Sequence, residues 1–281
     1  MIFAARRLEG IKNALVVAAC LGGLAAACEP MDPYVAAGNG YPLLYRIENY
    51  LPLDGDRISD VYDPDIVDYI GTTEREENVD YVSGVRGNGA RFNGESSFIE
   101  IDSHNGGFTE DAQWHNWIRT ITFWIRLNQT GSTPVFSVGK YDSGLFIGDS
   151  NATIDDAYLS IFLDRAKSKG FYWRQRDMQI LDENWHFIVL TSTEDDKNYK
   201  LYVDGISQGE AGRWHIESDA PLIEPGTLNL GRVVAGNGTY DYFKGDLDEF
   251  IIWSRPLTEN EINALHNNGS PPAYPFIDNT N

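Results

Sequence analysis

The sequence contains few cysteines and few basic residues, and each shortage argues against a class of protein. Only two cysteines occur among 281 residues, and both precede residue 29. The rest of the chain therefore has neither a disulfide framework nor a cysteine-rich zinc site. Lysine and arginine number 22 against 42 acidic residues, which gives a net charge of −20. Because this acidity repels phosphate backbones, nucleic acid is not expected as a partner.

Long hydrophobic runs are also missing, apart from one near the N-terminus. The apolar run 14–27 follows the basic residues Arg6, Arg7 and Lys12. It is shorter than the roughly 20 residues that span a bilayer, so it predicts a signal peptide over residues 1–27. Small residues directly before Cys28 resemble a bacterial lipobox, in which this cysteine is lipidated. Cys20 is a second possible lipobox, and an ordinary secretory signal is the alternative to both.

Lipidation at Cys28 predicts a lipoprotein of the outer membrane of a Gram-negative bacterium, anchored by lipid alone. We expect it at the cell surface. The segment 28–40 contains two prolines and indicates a tether. Residues 41–270 show no comparable linker and predict one domain, and residues 271–281 form a proline-rich tail.

The remaining chain is rich in glycine and aromatic residues and has the patterns of short strands. Residues 120–127 alternate, with Ile121, Phe123 and Ile125 on one face and Trp124 on the other. Residues 185–191 are apolar as in a central strand, and residues 199–203 run into the hairpin signal Asp204-Gly205. These patterns predict an all-β sandwich.

A single short helix is predicted near the C-terminus. Thr258 and Glu261 have the spacing of a capping box, and Ile262 and Leu265 follow at helical spacing. Gly269 is positioned as the stop, so the helix is expected over residues 259–267.

Four segments, in order, resemble the laminin-G-like and pentraxin-like branch of the concanavalin A-like lectin/glucanase superfamily. They are Leu53–Asp56, Gly84–Ile101, Asn184–Gly205 and Phe243–Ile262. The resemblance implies a jelly-roll sandwich of two antiparallel sheets. The acid-rich stretch 61–83 departs from the family pattern and is interpreted as an inserted loop of unknown role.

Paired carboxylates are the first candidates for chemistry. Glu100 and Asp102 lie two residues apart and share a strand face. Glucanases of this superfamily use a third acid in such a run, and the resemblance places this strand at the periphery. Catalysis is therefore not expected, and glycoside hydrolase or lyase activity is the least favoured function.

Calcium is the cofactor that the resemblance implies, as a structural ion where the opening strand meets the closing one. Carboxylate oxygens are suitable ligands for Ca²⁺. The matching candidate ligands are Asp54, Asp56, Asp60 and Asp248. The alternative is that these residues only support turns.

Aromatic residues in polar surroundings are the candidates for ligand binding, because exposed rings stack on sugar faces. Trp185 and Trp253 lie in apolar strands and are predicted to pack. Trp124 shares a strand face with Thr122 and Arg126, and the resemblance implies that it packs as well. The candidate ligand-binding residues are Trp114, Trp117, Tyr172, Trp173, Arg174, Tyr240 and Tyr242. Packing of large loops is the alternative for each of them.

These features together predict a non-catalytic jelly-roll domain that binds extracellular glycan. The alternative is a protein-interaction or accessory subunit of an outer-membrane complex, in which the sandwich contacts an envelope protein.

Overall fold

The computed structural model describes residues 47–51, 53–55, 73–101, 118–127, 133–138, 144–147, 158–164, 169–174, 180–193, 198–214, 228–234, 240–253 and 255–269. The predicted signal peptide, Cys28, the tether and the tail lie outside these residues. So do Asp56, Asp60, Trp114 and Trp117. Within the described part of the chain, no helix is long and apolar enough to cross a membrane.

The described residues form eighteen strands. In the first half of the chain they are β1 (Ile47–Leu51), β2 (Thr73–Glu77), β3 (Asp80–Ser83), β4 (Asn88–Asn93), β5 (Phe98–Ile101), β6 (Thr120–Arg126), β7 (Thr133–Val138), β8 (Gly144–Ile147) and β9 (Tyr158–Asp164). In the second half they are β10 (Lys169–Arg174), β11 (Trp185–Ser192), β12 (Tyr199–Val203), β13 (Ile206–Glu210), β14 (Gly212–Trp214), β15 (Leu228–Leu230), β16 (Arg232–Val234), β17 (Tyr240–Tyr242) and β18 (Lys244–Trp253).

The strands build two large antiparallel sheets, so the predicted jelly-roll sandwich is confirmed. The first sheet has the order β13-β12-β11-β6-β18-β4-β3, and β1 also pairs with β18. The second sheet has the order β14-β10-β9-β8-β7-β15-β5-β2. Strands β16 and β17 form a separate two-stranded sheet.

The core lies between the two large sheets and uses alternate residues of their strands. In β6, Ile121, Phe123 and Ile125 belong to this core, as the alternation predicted. Trp124 points the other way, into a second cluster on the outside of the first sheet. The ring of Phe123 stacks against that of Phe250, with centroids 5.8 Å apart.

The predicted helix is present as α1, Glu259–His266. Thr258 is its N-cap, and both hydrogen bonds of the capping box to Glu261 are formed. The helix ends two residues before Gly269, because Asn267 already adopts the left-handed conformation, with φ of 40°. Asparagine tolerates this conformation better than most residues, so it can act as the C-cap.

The interpretation of 61–83 as an inserted loop is wrong for its last eleven residues. Thr73–Glu77 and Asp80–Ser83 are edge strands, β2 of the second sheet and β3 of the first, and only residues 78–79 separate them. Edge strands tolerate charged side chains that would be costly in a central strand. Because this segment is rich in acidic residues, its two strands were not recognised in the sequence.

Candidate functional site

The outward-facing side of the second sheet, here called the binding face, carries polar residues. In β5, Ile99 and Ile101 belong to the core, and the residues between and beside them point outwards. The register pairs Glu100 with Asn229 of β15, and Asn229 with Ser137 of β7. These three residues therefore form a polar row across neighbouring strands.

The hairpin of β16 and β17 lies over the binding face at this row. The chain leaves β15 through Gly231, whose φ of 81° favours glycine and where a Cβ would collide with the ring of Phe92. The Ser137 hydroxyl then donates a hydrogen bond of 3.1 Å to the Arg232 carbonyl. This contact joins the hairpin to the middle of the sheet.

Arg232 is the centre of five residues that we call the Arg232 cluster. Its Nη2 donates to Glu100 Oε2 at 2.5 Å, and its Nε donates to Asn229 Oδ1 at 2.8 Å. The Cζ atom lies 3.4 Å from the ring centroid of Phe98 and 4.9 Å from that of Tyr240. The guanidinium group thus combines an ion pair with two cation–π contacts.

Solvent reaches this cluster at one side. Arg232 itself is only 5% exposed, whereas Tyr240 is 44% exposed. The rings of Tyr240 and its strand neighbour Tyr242 lie 6.0 Å apart. The two predicted ligand-binding tyrosines therefore present adjoining rings beside a buried polar centre.

The remaining predicted ligand-binding residues are placed as follows. Tyr172 in β10 is half-buried and lies on the binding face, three strands from β7, which corresponds to roughly 15 Å. Arg174 ends the same strand. Trp114 and Trp117 lie outside the described residues.

Trp173 requires a correction. The sequence predicts it as a ligand-binding residue in a loop or at a polar strand end, but it is 3% exposed and packs in the core between the sheets. Its Nε1 donates a hydrogen bond of 3.1 Å to the Gly209 carbonyl. The reason is the alternation of β10, which turns Trp173 inwards because it turns Tyr172 outwards.

The sequence analysis missed Arg232 and Asn229, and it considered Glu100 only as a catalytic acid. No local pattern marks Arg232, which is 132 residues away from its partner Glu100. The arginine at 2.5 Å makes Glu100 one half of an ion pair. This pairing, rather than a second carboxylate facing it across a cleft, is what the described residues show around Glu100.

Two of the four predicted calcium ligands meet at a junction in the first sheet. On one side of β18, β4 pairs with its first half and β1 with its second half. Asp248 lies between them, where its Oδ2 accepts hydrogen bonds from the Val85 and Arg86 amides at 2.7 and 3.2 Å. Asp54 Oδ1 accepts from the Asn88 amide, at the other end of the same turn.

The electrostatics of this junction favour a cation. Burial and the nearby charge of Asp54 raise the pKa of Asp248 to about 7, although backbone amides oppose the shift. Two close carboxylates in a partly desolvated site suit a hard cation such as Ca²⁺. Among the described residues, no three His, Cys, Asp or Glu side chains are grouped so that they could hold a metal ion, and calcium binding by Asp54, Asp56, Asp60 and Asp248 stays a prediction.

The sequence profile of one family matches residues 80–263, which include all strands except β1 and β2, as well as the first five residues of helix α1. This family, Laminin_G_3, is part of the concanavalin A-like lectin/glucanases superfamily. The chain belongs to it. The recognition of a laminin-G-like domain from four motifs is thereby confirmed.

Several proteins are similar to part of the chain in sequence. The chain is 34% identical to neuronal pentraxin-1 from Homo sapiens over 90 residues, which are 31% of the chain and 20% of the pentraxin. It is 25% identical to the calpain-type cysteine protease DEK1 from Zea mays over 115 residues, which are 38% of the chain and 5% of that protein. The chain thus spans a minor part of each relative.

Two solved structures share the fold at low sequence identity. One is domain 4 of AbnA, a GH43 extracellular arabinanase from Geobacillus stearothermophilus, in complex with arabinotriose, with a TM-score of 0.52 and 17% identity. The match covers 79% of this chain and 98% of that one. The other is the receptor binding domain of botulinum neurotoxin C/D mosaic serotype, with a TM-score of 0.54, 14% identity, and coverage of 80% and 55%.

Proposed function

We propose that this laminin-G-like domain binds extracellular glycan, without catalysis, on its binding face. One observation carries the proposal, namely the exposed ring of Tyr240 beside Tyr242 and above the buried Arg232. Aromatic rings next to hydrogen-bonding groups are the usual means by which proteins hold sugars. The AbnA domain, which shares the fold, is a precedent for a sugar complex on such a sandwich.

The absence of catalysis is part of the proposal and is supported by the state of Glu100. A glycosidase needs two carboxyl groups flanking the scissile bond, one of them available to donate or accept a proton. In the Arg232 cluster the carboxylate of Glu100 is instead bonded to a guanidinium group. This arrangement is suited to holding a hydroxyl group.

The experiment is affinity electrophoresis of the full chain, purified in detergent, through gels containing different polysaccharides. Binding retards the chain, and Tyr240→Ala should weaken the retardation about tenfold because the stacking ring is lost. Tyr240→Phe, which keeps the ring, is the matched control and should bind nearly as the natural chain does. Retardation by no polysaccharide would refute the proposed function.

A protein partner is the second candidate, favoured by one observation on the other sheet. Ile206, the first residue of β13, is 68% exposed, and β13 is an edge strand. Exposed edges with apolar residues can pair with another chain. If Ile206→Asp abolishes copurification of an envelope protein while glycan gels show no retardation, this second function replaces the first.

We further propose that the chain is lipidated at Cys28 and anchored in the outer membrane of a Gram-negative bacterium, facing outwards. The support is the basic segment, the short apolar run and the small residues before the cysteine. Labelled palmitate should be incorporated into the natural chain and into Cys20→Ser, but not into Cys28→Ser. Unchanged labelling of Cys28→Ser would overturn this assignment.

We also propose that Ca²⁺ binds at the junction of Asp54 and Asp248, with Asp56 and Asp60 as further ligands. A bound ion stabilises the folded state by mass action. The melting temperature should fall on chelation and be restored by Ca²⁺, and this response should be lost in Asp54→Asn. A melting temperature that chelation leaves unchanged would eliminate the site.

A further inference from the structure

We infer that the Arg232 cluster is a subsite for a neutral sugar residue, in which Glu100 accepts hydrogen bonds from hydroxyl groups and Tyr240 stacks against the ring. Arg232 acts as a positioning residue that holds both. This inference rests on the proposed glycan-binding function and adds the ligand class and the residues that select it.

The burial of Arg232 indicates a role beyond stability. Removing a guanidinium group from water is costly, and a buried ion pair is often no more stabilising than apolar residues of the same volume. Arg232 is nonetheless 5% exposed and bonded to both Glu100 and Asn229. What these bonds provide is a fixed orientation of the Glu100 carboxylate next to the ring of Tyr240.

The groups that Arg232 holds remain accessible. Glu100 uses Oε2 for Arg232, and a carboxylate has about four lone-pair positions, so it retains capacity for hydroxyl donors. Its side chain is 24% exposed. Through Arg232, the centroid of the Tyr240 ring and Glu100 Oε2 are less than about 9 Å apart, a separation that one sugar ring with its hydroxyl groups can bridge.

The charges around the cluster select a neutral ligand. Arg232 is paired with Glu100, and Arg75, which lies 5.1 Å from the Phe98 ring, is paired with Glu77. Two cations and two anions therefore compensate each other, and the available oxygen atoms of Glu100 repel carboxylates. The net charge of −20 on the chain disfavours polyanions further.

The test uses gels of neutral polysaccharides (arabinan, xylan, galactan and mannan) and of the uronates polygalacturonate and alginate. The full chain should be retarded by at least one neutral polysaccharide and by neither uronate. Glu100→Gln should weaken that retardation roughly tenfold to a hundredfold, because a charged hydrogen-bond acceptor is lost. Glu210→Gln, on the exposed edge strand β13 of the first sheet, is the matched control and should not change it.

The positioning role of Arg232 has its own readout. Arg232→Met should abolish retardation, and Arg232→Lys should restore part of it, since lysine keeps the charge but not the planar fork. Thermal unfolding of both variants checks that they are folded. Equal retardation of Arg232→Met and the natural chain would overturn the positioning role.

The outcomes separate the inference from the function on which it rests. Retardation by uronates alone, or by a neutral polysaccharide with Glu100→Gln unaffected, would overturn the neutral subsite and leave glycan binding in place. Retardation by none of the six polysaccharides would refute both.

Discussion

The outer face of the first sheet is covered by helix α1, whereas the binding face of the second sheet is crossed by the hairpin of β16 and β17. Under the helix, Trp124 and Trp253 pack with Ile262 and Leu265 in an apolar cluster. Under the hairpin, the centre is the charged Arg232 instead. The helix thus covers an apolar cluster, whereas the hairpin covers a charged side chain and its partners.

The difference separates a surface built for stability from one suited to a ligand. Apolar area removed from water stabilises a fold without directional requirements. A buried ion pair contributes little net stability but fixes the positions of its partners. The outer face of the first sheet, where His266 of the helix stacks on Trp124, therefore serves the fold. The Arg232 cluster is the part of the molecule for which we propose ligand recognition.

The largest expected loss of stability is in the apolar cluster under helix α1. Trp253 is fully buried beneath α1, so Trp253→Ala should lower the free energy of unfolding by about 3–5 kcal/mol. Tyr240→Ala, which removes a half-exposed ring from the binding face, should cost much less than Trp253→Ala. Urea denaturation of both variants measures the contrast. Equal losses would show that the two faces do not differ as described.

A smaller effect is expected at the charged centre of the binding face. Arg232→Met leaves the partly exposed Glu100 without its partner and should cost about 2 kcal/mol. Adding Glu100→Gln to Arg232→Met should recover part of this loss, with a coupling energy of about 1 kcal/mol. Additive losses in urea denaturation would mean that the ion pair is not the source of the cost.

The next smaller loss of stability is expected at the N-cap of α1. Thr258→Ala removes the side chain that accepts from the Glu261 amide, and should destabilise the fold by about 1 kcal/mol. Thr258→Ser keeps the hydroxyl group and should restore most of the stability. Since the cap is on the helix-covered side, glycan retardation should be unchanged in both variants. A loss of retardation would show that the two faces are coupled.

Much of the sandwich could be predicted from the sequence, because its signals are local. The alternation of β6, the Asp204-Gly205 turn and the capping box of Thr258 each concern residues a few positions apart. The binding face could not be predicted in this way. It depends on which strands become neighbours, and β5 and β15, which carry Glu100 and Asn229, are far apart in the chain.

The orientation of the two aromatic residues in β10 also could not be predicted from the sequence alone. Period-two alternation predicts that Tyr172 and Trp173 face opposite sides of the sheet, but it does not say which of them faces the core. The pairing with β9 decides this, since Trp173 lies opposite the buried Leu159. Tyr240 and Tyr242, two positions apart, had to share a side whatever the partner strand.

The smallest effect concerns a histidine beside the helix-covered face. His186 bonds Asp204 through Nδ1 at 2.8 Å and Asp182 through Nε2 at 2.9 Å. Burial lowers the pKa of His186, but its hydrogen bonds to the two aspartates outweigh burial, so the pKa lies above the ordinary value of 6.5. The stability that His186 contributes is complete below pH 6.5 and is lost as the pH rises through this raised pKa.

Urea denaturation on both sides of this range should show the loss, and His186→Gln should reduce it. The remaining loss is due to Asp248, because its raised pKa of about 7 lowers stability with the same sign as the pH rises. His266, whose pKa burial lowers, also faces Asp204, at 4.0 Å, and contributes with the opposite sign. The measurement therefore includes His266→Gln, in which the pH dependence due to His186 should become steeper. Asp182 does not interfere, because the hydrogen bond from His186 lowers its pKa to about 2. A stability that rises with pH in His266→Gln would contradict the assignment.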